Sequence, residues 1–216
     1  MIFEDWGFIN YQEALTRQLA LVEKVNSGEQ SNTVVFCSHP PIVTLGRGAT
    51  KSDLQGWQGD IAEVQRGGRA TYHGPGQLVI YLILDLKVAK AIPSQDIGAY
   101  LRFLEGTVIN AFSHLDIEAY QKDEEIFDES GKKLLMTGVW VNGYKVASMG
   151  IALKNWVSYH GIAINIYKDE LAFSGINPCG FAMSPMRSLE DLFSTQISRN
   201  DLINGVNDFF KFNKRI

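Results

Sequence analysis

Val139-Trp140-Val141-Asn142-Gly143-Tyr144-Lys145-Val146 reads as two β-rich triplets around Asn-Gly, a dipeptide that accepts the two positive φ angles of a tight hairpin turn. Strands joined this tightly run antiparallel, so their sheet is not built from regularly alternating parallel βαβ units. A second turn near Lys154-Asn155 leads into Trp156 through Ile166, where His160, Ile162, Ile164 and Ile166 are expected to share one face. Upstream, Thr33 to Cys37 and Ile42 to Leu45 read as strands separated by His39-Pro40-Pro41. Leu78 to Leu86 is too apolar for a half-exposed strand and is expected at the sheet centre.

Helical periodicity appears three times. Tyr11, Leu15, Leu19 and Val22 mark an amphipathic helix that Ser27-Gly28 ends. Ile97, Leu101, Leu104, Val108, Ala111 and Leu115 form a stripe behind Pro93-Ser94, with Ser94 as the expected cap. Ser198 is placed to cap a helix from Arg199 to Phe210. The expectation is an α/β fold class, a mixed α+β sheet with packed helices, in a single domain spanning residues 1–216.

Composition narrows the function. Hydrophobic residues make up 45% and charged residues 20%, which fits a globular chain rather than a disordered one. A net charge of −4 argues against broad nucleic-acid binding. The start, Met1-Ile2-Phe3-Glu4-Asp5-Trp6, is acidic where a signal peptide is basic, and no apolar run approaches a membrane span. A cytoplasmic protein is expected, with neither nucleic acid nor membrane as partner. Two cysteines, Cys37 and Cys179, do not make a disulfide scaffold. Without HExxH or a close histidine pair, no metal is expected.

The densest functional signal is Arg66-Gly67-Gly68-Arg69-Ala70-Thr71-Tyr72-His73-Gly74-Pro75-Gly76-Gln77, a loop that lets a ligand lie against bare peptide groups. It matches neither a P-loop nor a dinucleotide fingerprint. Lys145 stands on a strand just past the hairpin turn, and Cys179 follows 34 residues later in Pro178-Cys179-Gly180, a context that favours display on a turn. A thiol becomes an acyl acceptor as its thiolate, which a lysine ammonium can stabilise. Loop, lysine and cysteine together suggest thiol acyl transfer. Cys37, in an apolar strand, reads as a buried hydrophobe. His73 is read either as a site residue or as orienting its own loop, and His160 either as pocket-lining or as a core group. His39 is expected in a turn and His114 at a helix end.

These segments resemble lipoyl(octanoyl) transferases. The match runs through His39-Pro40-Pro41, Thr44-Leu45-Gly46-Arg47, the Arg66 to Gln77 loop, Gly138-Val139-Trp140-Val141 and Lys145 to Gly150. It continues through His160-Gly161-Ile162-Ala163-Ile164-Asn165 and Asn177-Pro178-Cys179-Gly180. The resemblance implies the catalytic fold shared by biotin and lipoate ligases. It also implies octanoyl transfer from acyl carrier protein to a lysine of lipoyl domains, those of 2-oxoacid dehydrogenase complexes and the glycine cleavage H protein. By this resemblance Cys179 is the nucleophile and Lys145 tunes or deprotonates it. Arg66, Gly67, Gly68, Arg69, Ala70, Thr71, Tyr72 and His73 would contact acyl substrate, as would Ser148, Met149, Gly150, Gly161, Ile162 and Ala163. Gly74 and His160 would support them. Neither cofactor nor ATP is implied. The alternatives are an ATP-dependent lipoate-protein ligase and a non-catalytic module that binds acyl carrier protein or lipoyl domains.

Overall fold

The computed structural model describes residues 1–54, 56–122, 124–127, 131, 133–172, 175–176 and 186–212. The elements in chain order are β1 (Ile2–Phe8), α1 (Tyr11–Ser27), β2 (Thr33–Ser38), β3 (Ile42–Leu45), β4 (Asp60–Glu63), β5 (Ala70–His73), β6 (Gln77–Ile83) and α2 (Ile97–Ser113). Then come β7 (Tyr120–Gln121), β8 (Glu124–Phe127), β9 (Lys133–Met136), β10 (Gly138–Val141), β11 (Tyr144–Lys154), β12 (Val157–Asn165), α3 (Leu189–Leu192) and α4 (Arg199–Phe212). A seven-stranded sheet in the order β1-β2-β6-β12-β11-β10-β7 forms the frame. β1 and β2 are parallel and the other neighbours antiparallel, so the sheet is mixed.

Both expected hairpins form. Asn142 and Gly143, at φ of 50° and 83°, turn β10 into β11, and Asn155 and Trp156, at 53° and 62°, turn β11 into β12. Leu78 to Ile83 are at most 2% exposed because β6 lies between β2 and β12 with helices over both faces. Each such side chain contributes about 1.5–3 kcal/mol by burial. On one face α1 covers Val35, Val79, Tyr81 and Ala163. On the other α2 and α4 cover Ile80, Leu82, Ile162 and Ile164, and Gly205 of α4 comes so close to Ala111 of α2 that a Cβ there would lie 2.8 Å from its Cα.

Three expectations change in detail. The buried face of α1 is Tyr11, Ala14, Gln18, Leu21, Val22 and Val25, while Leu15 and Leu19 are only partly covered. α2 starts three residues past Ser94 and is capped by Asp96, whose Oδ1 accepts the Ala99 N–H at 2.9 Å. His160 does not keep the strand alternation: φ at His160 is 59°, and its N–H donates 2.8 Å to the buried Gln18 Oε1. Ser198 does cap α4, its Oγ accepting the Asp201 N–H at 3.2 Å.

Apart from the main sheet, β4-β3-β5 forms a small three-stranded sheet whose core is Val43, Ala70, Tyr72 and Ile176. Chain entering and leaving residues 177–185 is held at both ends. Ile176 pairs with Leu54 of the small sheet's lobe, and Met186 pairs with Lys145 of β11. Cys179 itself lies outside the described residues.

Candidate acyl-transfer site

Register along the sheet brings two of the singled-out segments face to face. Ser148 pairs with Ala163, Met149 with Ile162 and Gly150 with Gly161, and the last three continue onto Val79, Ile80 and Tyr81 of β6. The glycine loop joins them from the small sheet, because the Gly67 N–H donates 2.9 Å to the Ile151 carbonyl. A pocket opens where the three meet. It holds about 350 Å³ counting its solvent-open mouth and is lined by Tyr11, Arg66, Thr71, His73, Val79, Tyr81, Ser148, Met149, Gly150, His160, Gly161, Ile162 and Ala163. Gly161 is required there: its φ of 156° and a virtual Cβ overlapping the Ile80 carbonyl exclude any side chain.

Not every residue of the loop faces that pocket. Arg66, 5% exposed, turns its guanidinium to Thr44, donating from Nη2 to the carbonyl at 2.7 Å and to Oγ1 at 2.8 Å, and from Nη1 to the Gly67 carbonyl at 3.0 Å. Gly150 leaves room for it, since a Cβ would stand 2.9 Å from Arg66 Cδ. Arg69 is directed away, into a buried ion pair with Asp53 at 2.5 Å. Ala70 belongs to the core of the small sheet, and Tyr72 donates 2.6 Å to Asp169 Oδ2. At Gly68 φ is 80°, and at Gly74 a Cβ would overlap the Tyr72 hydroxyl, so these two shape the loop. Gly67, Gly68, Arg69, Ala70, Tyr72 and Gly74 are thus absent from the pocket wall, whereas Arg66, Thr71 and His73 form part of it.

Three buried histidines in and beside the site are held neutral. His73 donates from Nδ1 to Gln77 Oε1 at 3.2 Å and stacks on Tyr11. Burial first, then His39 and the Arg66 cation, hold its pKa well below the usual range. Burial and Arg66 push His160 down to about 3, and its Nε2 has no hydrogen-bond partner. A neutral imidazole beside an apolar slot can meet an acyl chain without desolvating a charge.

His39 departs from the expected turn role. It is fully buried, donates from Nδ1 to the Ile9 carbonyl at 2.8 Å and accepts from the Tyr81 hydroxyl at 2.7 Å. Burial lowers its pKa too. Tyr11 and Tyr81 are parts of this constellation that the sequence did not single out, and Gln77, which ends the quoted loop, carried no assigned role. Tyr11 and Tyr81 read as ordinary core positions, and no local pattern distinguishes them. Cys37 is buried, as expected, and desolvation raises its thiol pKa. His114 ends α2. Among the described residues no group of His, Cys, Asp or Glu is arranged to hold a metal ion.

Lys145 is 4% exposed on β11, three residues before Ser148, and its carbonyl accepts the Arg187 N–H at 3.1 Å. Met186 and Arg187 thus lie alongside this lysine.

The chain has relatives among known proteins. The lipoyl protein ligase A/B catalytic domain family matches residues 10–211. The chain is 44% identical to an octanoyltransferase of Bdellovibrio bacteriovorus over 91% of each chain, and 33% identical to one of Geobacter metallireducens over 98% of this chain and 92% of that one. Among solved structures it is similar to a lipoate-protein ligase A bound with ATP, with a TM-score of 0.67 at 17% identity over 99% of this chain and 84% of that one. The biotin protein ligase of Aquifex aeolicus gives 0.55 at 13% identity over 98% and 69%. These distant structures establish the fold, and the closer relatives establish the branch. The chain belongs to the lipoyl protein ligase A/B catalytic domain family and, within it, to the octanoyltransferases, which makes it an acyltransferase.

Proposed function

We propose that residues 1–216 act as one catalytic domain that moves an octanoyl group from octanoyl-acyl carrier protein to a lysine of a lipoyl domain through a thioester on Cys179. The observation that carries the reading is the pocket itself, where Arg66, Thr71 and His73 meet Ser148 to Gly150 and Gly161 to Ala163 around a slot whose histidines are neutral. The buried Lys145, paired with Met186 seven positions after Cys179 in sequence, supports the assignment of the catalytic pair. A likeness to the Thermoplasma acidophilum lipoate protein ligase, whose structural description includes its E2 lipoyl domain, is in keeping with such an acceptor, as are the lipoyl domains of 2-oxoacid dehydrogenase complexes and the glycine cleavage H protein. In this reading the reaction takes place in the cytoplasm. Among the described residues no helix is long and apolar enough to cross a membrane.

The chemistry runs in two exchanges. Lys145, as an ammonium, favours the Cys179 thiolate. The thiolate attacks the donor carbonyl, the tetrahedral oxyanion is held by backbone N–H groups of the Ser148–Gly150 or Gly74 region, and the carrier thiol leaves with the proton of the Lys145 ammonium, which becomes the free amine. The acceptor lysine, as a free amine, then attacks the new thioester. Its proton passes through Lys145 as the Cys179 sulfur departs, and an amide remains. Thioester exchange is roughly balanced and the amide step downhill, so ATP is not needed. Incubation with octanoyl carrier protein should add one octanoyl mass, removable by hydroxylamine, that Cys179→Ser abolishes and Cys37→Ser retains. Normal turnover by the Cys179→Ser protein would overturn the covalent route, and a strict requirement for ATP would return the chain to ligase chemistry.

A further inference from the structure

The position of Lys145 is set by residues outside the pocket. Gly138, the first residue of β10, has no room for a side chain: a Cβ there would overlap Lys145 Cε and stand 3.0 Å from Nζ and 2.7 Å from the Ala147 carbonyl. Directly after it the ladder slips. Val139 pairs with Ala147 but Trp140 pairs with Lys145, leaving Val146 as an extra residue. Such bulges re-aim the side chains beside them. The Gly138 N–H is not given to a strand but to Glu105 Oε1 of α2 at 3.0 Å. Glu105 is fully buried on a helix face that also carries Tyr100, Leu104, Thr107, Val108, Ala111 and Phe112, and Arg102 Nη1 lies 2.9 Å from its other oxygen. Burying a carboxylate is costly, and this one is held where one of its oxygens fixes the Gly138 peptide.

We infer that Glu105 and Gly138 are positioning residues for Lys145: the carboxylate clamps the Gly138 peptide so that its bare α-carbon forms the wall on which the lysine ε-carbon rests. The inference rests on the proposed role of Lys145 in setting the Cys179 thiolate. Its test is the pH profile of Cys179 alkylation by iodoacetamide in a Cys37→Ser background, with folding followed by circular dichroism and thermal melting. Lys145→Met should raise the midpoint. Gly138→Ala and Glu105→Leu, which displace the wall or release the clamp, should each lower the rate near neutral pH by roughly tenfold, equivalent to a midpoint raised by about one unit. Glu105→Gln keeps an acceptor for the Gly138 N–H and should stay within about twofold of the parent, by the same scale. In the Lys145→Met background Gly138→Ala should add no further shift, as expected for residues acting through one another. A lowered melting temperature with an unchanged profile in both Gly138→Ala and Glu105→Leu sinks the inference while leaving the Lys145 assignment intact. An equal shift in Glu105→Gln and Glu105→Leu sinks the clamp as its cause. A profile unchanged in Lys145→Met overturns the assignment and the inference together.

Discussion

At His160 the backbone holds φ at 59° and the imidazole Nε2 has no partner, two costs that an ordinary strand residue avoids. Both are compensated locally. Gln18 Oε1 takes the N–H that the sheet does not use, and burial with the nearby Arg66 keeps the ring neutral. The pH consequence has a definite sign. The unfolded imidazole titrates near 6.5 and the folded one near 3, so well above pH 6.5 neither state is charged and the group has no effect. Below 6.5 the unfolded chain binds the proton first, and stability falls as pH drops toward the folded value. His39 and His73, shifted the same way, add to the slope. Urea melts between pH 6.5 and 5 should show falling stability, with each histidine contributing up to about 1.4 kcal/mol per pH unit. His160→Gln should reduce that slope, and a slope unchanged by the substitution would remove His160 from the account.

Elements read from local rules came out differently from those read from periodicity. The Asn142-Gly143 hairpin needs only two adjacent residues that tolerate positive φ, and that information is contiguous. A helix stripe gives the period but not the phase. In α1 the face turned to the sheet includes fully buried Gln18 in place of Leu15, because the N–H of His160 in β12 needs an acceptor, a requirement that arises 142 residues away. The α2 cap is a similar case. Ser94 Oγ reaches only the Lys87 carbonyl at 3.5 Å, whereas Asp96 satisfies a free N–H of the first turn. Asp96→Ala should therefore cost about 1 kcal/mol and Ser94→Ala less than about 0.5 kcal/mol, measured by chemical denaturation. The reverse order would show that the helix begins earlier than Ile97.

At the scale of the whole molecule, the pocket is a seam between the main sheet and the small β4-β3-β5 sheet, and under the proposed function its apolar lining would set the acyl preference. Octanoyl carrier protein should outperform the butanoyl form, since four missing methylenes remove up to about 3 kcal/mol of burial, a factor on the order of a hundred. Only the part felt in the transition state reaches kcat/KM, so a smaller ratio remains in keeping with the pocket. Equal kcat/KM for the two chains on one carrier protein would exclude a medium-chain slot here.

The sequence by itself determined the mixed sheet, through two tight turns and one all-apolar strand, and it determined the family, through segments whose residues are each contiguous. It also singled out the pocket wall formed by Ser148 to Gly150 and Gly161 to Ala163. Tertiary structure alone decided which loop residues line the pocket: nothing along the chain separates Arg69 and Tyr72 from Arg66 and His73, yet Asp53 and Asp169 draw them away. It alone made His39 a buried network member and placed Glu105 beneath Gly138. The physical reason is one of range. Turn chemistry and periodicity are fixed by neighbours in sequence, whereas the partner of a buried polar group is fixed by which strands and helices the fold brings within hydrogen-bonding distance.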